Sequence, residues 1–272
     1  MNLIFDEGPI ARSYLMIFKE NNLLDRKILF LNFPYKPMRF FNYFRFHKQN
    51  FFALKFIKNP NVKYLIDQIQ EYFNLRKNFI NDVYDYSNIF DFKNLIKLNN
   101  TNINDFSILS KLKNNQKEIF LNSGKKIIVK EVIEKIKIVH FHPGYIPEIK
   151  GADSSLRSVN LYKQLGISFF ELNKKIDDGY VYFREKKAYP NFKLNNKFNF
   201  SIKEKYNIWH SFIDPILRAY YLNKILKKEI IINYDIGSEK KLNQNLKFKN
   251  EENNYYSFLS QNEKKKFFET NL

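Results

Sequence analysis

The chain has 272 residues, a hydrophobic fraction of 44% and a formal net charge of +18, with 46 Lys and Arg against 28 Asp and Glu. This composition excludes a disordered chain over most of the length and supports a large buried core. The absence of cysteine excludes disulfide scaffolds, thiolate nucleophiles and zinc–thiolate sites, and no apolar run is long enough to cross a membrane. We therefore expect a cytoplasmic protein, and because its lysines are spread over the whole chain, its charge favours small anionic ligands over nucleic acid.

The N-terminal elements predict an α/β layer. Asn2–Phe5 reads as a buried strand, Gly8-Pro9 opens a helix that runs to about Asn21, and Lys27–Phe33 reads as a second strand. A strand-helix-strand start of this kind is typical of a parallel sheet. The first turn lacks the G-x-G-x-x-G pattern of dinucleotide-binding folds.

Residues 34–52, PYKPMRFFNYFRFHKQNFF, interleave aromatic and basic side chains. One interpretation is a stacking and phosphate-contacting surface for a nucleotide or a single strand. The other is a loop followed by an amphipathic helix that packs its Phe side chains inward. His47 has no evident partner in this stretch and reads as a surface histidine. Helical periodicity then covers Val62–Leu75, whereas residues 78–115 are rich in Asn, Asp and Lys and show no clear pattern.

The middle of the chain predicts a second strand-helix-strand unit. Glu118–Asn122 reads as a buried strand that ends at Ser123-Gly124, Val129–Ile136 reads as a short helix, and Lys137–His142 reads as the next strand. In open α/β sheets ligands bind at the carboxyl ends of the strands. Residues near His142 are therefore placed at the edge of the sheet where a site is expected.

The remaining elements predict an antiparallel addition to the sheet and a long packing helix. They are a helix at Ser154–Leu165, paired strands at Gly166–Glu171 and Gly179–Phe183, and a helix at Glu204–Leu226. Asp214 and Arg218 lie one helical turn apart and are expected to form a structural i,i+4 pair. After Lys227 we expect a charged tail with a few small strands. We therefore divide the chain into an α/β domain at 1–228 and a short charged C-terminal appendage at 229–272.

The strongest chemical signal is the segment 139–151, VHFHPGYIPEIKG, followed by the acidic turn Asp177-Asp178-Gly179. Side chains alternate along a strand, so His140 and His142 point to the same face. A carboxylate such as Asp177 would orient an imidazole for general acid/base work and raise its pKa, and His140 could hydrogen-bond a developing oxyanion. The plainer interpretations are a core histidine at His140 and an ordinary hairpin turn at the Asp-Gly pair.

The order of these residues resembles the folate-dependent formyltransferase family, which includes the glycinamide ribonucleotide, methionyl-tRNA and sugar-nucleotide enzymes. That family carries Asn-x-His-Pro-Ser-x-x-Pro, a basic residue with Gly, Gly-hydrophobic-Thr and Asp-x-Gly. The corresponding residues here are His140, His142-Pro143-Gly144, Pro147, Lys150-Gly151, Gly166-Ile167-Ser168 and Asp177-Asp178-Gly179. The resemblance runs from about Phe120 to Phe183. It breaks at two positions, since His140 stands for the family's Asn and Gly144 for its Ser.

The resemblance implies a mostly parallel, Rossmann-like open sheet flanked by helices, and an enzyme that moves a formyl group from 10-formyltetrahydrofolate, its co-substrate, to an amine. It implies His142 as the catalytic histidine, Asp177 as its carboxylate partner and His140 as a further catalytic residue. Folate contacts fall on Ser123, Gly124, Ile176, Asp177 and Asp178. Acceptor contacts fall on Gly144, Tyr145, Lys150 and Gly151. No metal is expected.

For the acceptor we favour an amino sugar linked to a nucleotide. The roughly 45 residues after Lys227 are too few for the C-terminal domain usual in the tRNA enzymes of the family. The alternatives are a methionyl-tRNA formyltransferase-like enzyme, a metal-dependent hydrolase that uses His-x-His with an Asp, and a non-catalytic or RNA-binding relative. The expected partner is a small amine that is phosphorylated or nucleotide-linked, with tRNA less favoured, and no membrane. The sequence leaves the oligomeric state open, a homodimer included.

Overall fold

A seven-stranded sheet organises the computed structural model, which describes residues 1–31, 48–98, 102–105, 108, 115–124, 128–173, 177–194, 199–231 and 255–272. Strands β1 to β9 are Asn2–Phe5, Lys27–Phe30, Asn94–Lys97, Asn115–Asn122, Ile136–His142, Lys150–Gly151, Gln164–Glu171, Val181–Ala188 and Tyr255–Tyr256. Helices α1 to α9 are Pro9–Glu20, Lys48–Ile57, Pro60–Tyr72, Phe79–Val83, Lys130–Ile133, Ser154–Tyr162, Ile202–Ile208, Asp214–Leu226 and Gln261–Asn271. A 3₁₀ turn covers Tyr86–Asp91, and a π-helical turn at Trp209–Ile213 joins α7 to α8.

The strand order in the main sheet is β3-β2-β1-β4-β5-β7-β8. The first five strands run parallel, and β7 and β8 add antiparallel at one end. This arrangement confirms the predicted α/β fold with a mostly parallel open sheet flanked by helices, and it confirms the antiparallel pair. Strands β6 and β9 form a separate two-stranded parallel sheet.

Both faces of the central strands are buried, as parallel sheets require. Along β1, Leu3 and Phe5 pack into one apolar cluster while Ile4 packs into a second on the opposite face. The same alternation continues in β5, where Phe141 joins the first cluster and Ile138 the second. His140 and His142 have the parity of Ile138, so they project from one face where β5 runs out of the core.

The C-terminal part contains a helix that the sequence analysis did not predict. Ser260 and Glu263 form a reciprocal capping box, which satisfies two backbone N–H groups at the start of α9. Phe267 and Phe268 are buried, and their ring centroids lie 5.2 Å and 6.5 Å from that of Trp209.

The predicted long helix at 204–226 is divided by the π-helical turn, and the strand predicted to reach Phe33 ends at Phe30. The division at residue 228 stays a prediction.

Parts of the sequence interpretation fall outside the described residues. These are positions 34–47 of the aromatic and basic stretch over 34–52, with His47, the folate contact at Ile176, and positions 232–254 of the charged tail. Within the described ranges, no helix combines the length and the apolar character that a membrane crossing needs.

Candidate active site

The two histidines of β5 open into a cavity of about 390 Å³ at the carboxyl edge of the sheet. Strand pairing sets His140 beside Asn122 of β4 and His142 beside Ser168 of β7. His140, His142, Gly151 and Asp177 all line this cavity. The structure therefore brings together the three predicted catalytic residues and one predicted acceptor contact.

His142 and Asp177 face each other as a buried pair. The Nδ1 atom of His142 lies 3.6 Å from Oδ2 of Asp177, and their side chains are 5% and 14% exposed. The same carboxylate oxygen accepts a hydrogen bond of 2.8 Å from the Gly151 N–H. Asp177 has a left-handed backbone (φ 50°), so a turn in an uncommon conformation presents this carboxylate. The carboxylate is thus held in place by the neighbouring segment β6.

The hydrogen-bond partners of His142 assign its protons. Its Nε2 lies 3.0 Å from the carbonyl oxygen of Ile149, which only accepts, so Nε2 carries the proton. Burial lowers the pKa of His142 more than the nearby Asp177 raises it. The resting ring is therefore neutral, and its Nδ1 has a free lone pair on the side of Asp177. That nitrogen is a base within reach of the cavity.

Gly144 leaves the space that this arrangement needs. A Cβ atom at residue 144 would lie 2.7 Å from Nε2 of His142 and 2.7 Å from the carbonyl oxygen of Ile149. A serine, which the family carries at this position, would therefore collide with the hydrogen bond that fixes the His142 ring. The Gly in place of Ser is consistent with the ring position seen here.

His140 is held differently from His142. Its Nδ1 lies 3.2 Å from the carbonyl oxygen of Asn122, and its Nε2 lies 3.5 Å from Nη1 of Arg218. The carbonyl accepts and the guanidinium donates, so Nδ1 carries the proton and Nε2 the lone pair. Burial, followed by the charge of Arg218, lowers the pKa of His140 to about 3. His140 is neutral, and its N–H points to the backbone and not to the cavity.

Arg218 and Asp214 form the predicted i,i+4 pair, and they also belong to the cavity wall. The guanidinium donates from Nε to Oδ1 of Asp214 at 2.9 Å and from Nη1 to the carbonyl oxygen of Phe141. Both side chains are buried, at 7% and 4% exposure. Burial would raise the pKa of Asp214, but Arg218 and His210 together outweigh it and lower the pKa well below its usual value. The sequence analysis predicted the ion pair and missed its place in the site.

The cavity contains a third histidine that the sequence analysis placed on a packing helix. His210 lies in the π-helical turn, between Asp153 at 3.5 Å and Asp214 at 3.7 Å. The Tyr206 ring is 4.4 Å from the His210 ring, and its hydroxyl donates to Oδ1 of Asp153 at 2.7 Å. The spacing of His210 and Asp214, four residues apart in a predicted helix, was the available signal. Asp153 had none, because it meets His210 only through the fold.

Two predicted folate contacts near β4 are engaged within the protein. The Ser123 hydroxyl donates to the carbonyl oxygen of Ile4 at 2.7 Å and accepts from the N–H of Asp6 at 3.0 Å, which ties the ends of β4 and β1 together. The N–H of Gly124 donates to Oδ1 of Asn122 at 3.0 Å. Neither Ser123 nor Gly124 is among the described residues that line the cavity.

The predicted contacts Gly144, Tyr145, Lys150 and Asp178 are not among the residues that line the cavity. Lys150 is buried and donates to Oδ1 of Asp178 at 2.9 Å, which fastens β6 to the acidic turn. The Tyr145 ring lies under two cations, Arg184 and Lys186, each 4.3 Å from its centroid. Lys150 thereby links the segment of Gly151 to the turn of Asp177, both of which line the cavity. The roles of the predicted contacts in ligand binding stay predictions.

The part of the chain that the structure describes has no group of three or more His, Asp or Glu side chains placed to hold a metal ion. His140 and His142, the pair that suggested a metal ligand set, bond instead to backbone carbonyls through one nitrogen each.

Comparison with known proteins gives distant matches. No protein-family model matches the chain, and no curated protein does. Among solved structures, a 4-N formyltransferase from Francisella tularensis is 13% identical over 94% of this chain and 75% of its own, with a TM-score of 0.41. A sugar N-formyltransferase from Shewanella is 15% identical over 73% of each chain, with a TM-score of 0.36. The methionyl-tRNA formyltransferase of Clostridium thermocellum is 17% identical over 65% of this chain and 64% of its own, at 0.32.

These scores lie below the level at which a shared fold is established, and the match spans less than two thirds of the clostridial enzyme. All three proteins are named as formyltransferases, the family that the motif order of this chain resembles.

Proposed function

We propose that the chain is a formyltransferase that moves a formyl group from 10-formyltetrahydrofolate to an amine, and that the amine belongs to an amino sugar linked to a nucleotide. The observation that carries this proposal is the buried pair of His142 and Asp177 in the wall of a cavity. A base beside a fixed carboxylate suits a reaction in which an amine must lose a proton as it attacks a carbonyl carbon.

The geometry of His142 suggests how the proton moves. Nδ1 takes a proton from the attacking amine, and the ring becomes an imidazolium whose Nδ1–H faces Asp177 and whose Nε2–H stays on Ile149. The carboxylate stabilises that charge only while the ring is protonated, so its contribution falls on the reacting state. The same proton can then pass from Nδ1 to the nitrogen that leaves the formyl group. His142 returns to its neutral form.

Arg218 supplies the fixed positive charge of the site. It lines the cavity beside His140 and is held by Asp214 and by the Phe141 carbonyl. A buried charge held this rigidly favours negative charge that develops on the formyl oxygen. In this proposal His140, predicted as a catalytic residue, positions Arg218: its neutral ring accepts from the guanidinium and holds it at the cavity edge.

We place the formyl donor at the acidic turn, where Asp177 lines the cavity, with the end of β4 as a further contact outside the lining. Since the Ser123 hydroxyl is already bonded within the protein, contacts from Ser123 and Gly124 would come from their backbone groups. Asp177 and Asp178 fit the same role from the turn, where the side chain of Asp178 is fixed by Lys150.

The choice of acceptor has two supports. The net charge of +18 favours a ligand that carries phosphate. Tyr255 and Phe258 line the cavity and are 61% and 70% exposed, so they offer ring faces on which a base can stack.

The direct test offers the purified protein 10-formyltetrahydrofolate with a panel of nucleotide-linked amino sugars, and measures the release of tetrahydrofolate. We expect turnover with at least one member and none in His142→Ala. Formylation of charged initiator tRNA, with no turnover of any sugar, would overturn the choice of acceptor. A stoichiometric metal ion required for activity would overturn the folate mechanism in favour of a hydrolase.

A further inference from the structure

His210 lies in the cavity in an unusual environment. Its side chain is 10% exposed, and neither ring nitrogen makes a hydrogen bond within the protein. Nε2 is 3.5 Å from Oδ1 of Asp153, and Nδ1 is 3.7 Å from Oδ2 of Asp214. Charge-assisted hydrogen bonds are shorter, near 2.7–2.9 Å. The ring thus lies between two carboxylates without a hydrogen bond to either. Buried polar atoms that lack a hydrogen bond cost free energy unless a ligand satisfies them.

Both carboxylates carry their negative charge. Burial alone would raise the pKa of Asp153, but the His210 ring, the Tyr206 hydroxyl and the Leu259 N–H together lower it. Burial would likewise raise the pKa of Asp214, but Arg218 and His210 together lower it. Arg218 is the one fully charged cation among the described residues of the cavity lining, and it compensates one of the two charges. The cavity lining holds three carboxylates, Asp153, Asp177 and Asp214, against this one arginine, so negative charge is in excess there.

Each ring nitrogen of His210 faces a carboxylate oxygen without a hydrogen bond to it. A small donor between them would bond to both, and an ammonium group has three N–H donors and one positive charge. The geometry and the excess charge therefore suit the same ligand. The π-helical turn that presents His210 belongs to a class often found at functional sites.

We propose that Asp153, His210 and Asp214 form a subsite that binds the ammonium group of the acceptor, on the same cavity wall as Arg218 and within the space that His142 and Asp177 line. This inference rests on the proposed function, which requires an amine acceptor. It adds the residues that distinguish an amine from a hydroxyl group. A hydroxyl carries no charge and a single donor, so it would leave the excess negative charge uncompensated.

The test compares UDP-glucosamine with UDP-glucose, two probes that differ by an amine in place of a hydroxyl. Calorimetric titration is done on the full chain without folate, at a pH where the amine is protonated. We expect the wild-type protein to bind UDP-glucosamine about tenfold more tightly, equal to 1.4 kcal/mol. In His210→Phe, which keeps a ring against Tyr206, and in Asp153→Asn, the preference should fall below about twofold.

The matched control is Asp85→Asn, a helix-capping carboxylate that accepts from the Ser87 N–H at 3.0 Å and lies outside the cavity lining. It should keep the wild-type preference. Equal affinity for both sugars in the wild type, no binding of either, or a preference that survives both variants overturns the subsite. Circular dichroism checks folding, and His210→Phe decides the result if Asp153→Asn is unfolded. A preference for the amine without formyl transfer to any acceptor would leave the subsite standing and refute the proposed function.

Discussion

Replacing Asp177 by Asn tests the central pair, because it removes a charge and almost no volume. The carboxylate lies 3.6 Å from Nδ1 of His142. At that distance two unit charges interact by about 4–5 kcal/mol in a medium of effective dielectric constant near 20. The Asn side chain can still accept from the Gly151 N–H, so part of this stabilisation is retained. We expect kcat to fall by about 100- to 1,000-fold, within the range of general acid/base catalysis, with little change in KM.

The pH profile gives the assay its second readout. The pKa of His142 is lowered from its ordinary value of 6.5 by burial, and Asp177 opposes that shift. Asp177→Asn removes the charge that raises the pKa of His142, so the ring protonates only at lower pH. The acidic limb of the pH profile of kcat should therefore move to lower pH. Asp67→Asn, an exposed carboxylate on α3, serves as the control. A kcat near that of the wild type, or a limb that moves to higher pH, would refute the role of Asp177.

Three further predictions concern stability. His140 is neutral in the folded protein, where its pKa is about 3, but protonates near pH 6.5 in the unfolded chain. The free energy of unfolding should therefore decrease as the pH is lowered from 6.5, and it should decrease less steeply in His140→Asn. Urea titrations at several pH values measure both slopes. Gly144→Ser should cost about 1–3 kcal/mol by overpacking and abolish turnover; a stable, active variant would contradict the contact with His142. Phe268→Ala should cost about 3–5 kcal/mol in thermal or urea unfolding, whereas Phe258→Ala, 70% exposed, should change stability by less than about 0.5 kcal/mol.

Local patterns predicted most of the sheet, because buried parallel strands are continuous apolar runs with a fixed period. Asn2–Phe5 matches in full, and the strand ending at His142 is displaced by one residue at its start. The His-x-His spacing was enough to place His140 and His142 on one face and at one edge. The acidic turn was identified from its Asp-x-Gly pattern, and the structure sets it against His142.

The parts that were missed depend on contacts between distant segments. Asp153 meets His210 across 57 residues of sequence, and no local pattern links them. The helix at Gln261–Asn271 carried a visible capping box, but its charged surface favoured a tail, and its stability comes from two Phe side chains that meet Trp209. The proton assignments of His140 and His142 could not be predicted at all, since they depend on which carbonyl each ring meets.

The two-residue pairing of β6 with β9 has a consequence for how the protein folds. Gly151, whose N–H holds Asp177, is paired with Tyr256, about 105 residues later in the chain. Tyr256 follows every strand of the main sheet in the chain, the last of which ends at Ala188, so it leaves the ribosome after all of them. During synthesis on the ribosome, the wall that carries Asp177 would therefore stay open after the main sheet has assembled. Amide exchange at Ala152, which bonds to the Tyr256 carbonyl at 2.9 Å, would report when that wall closes.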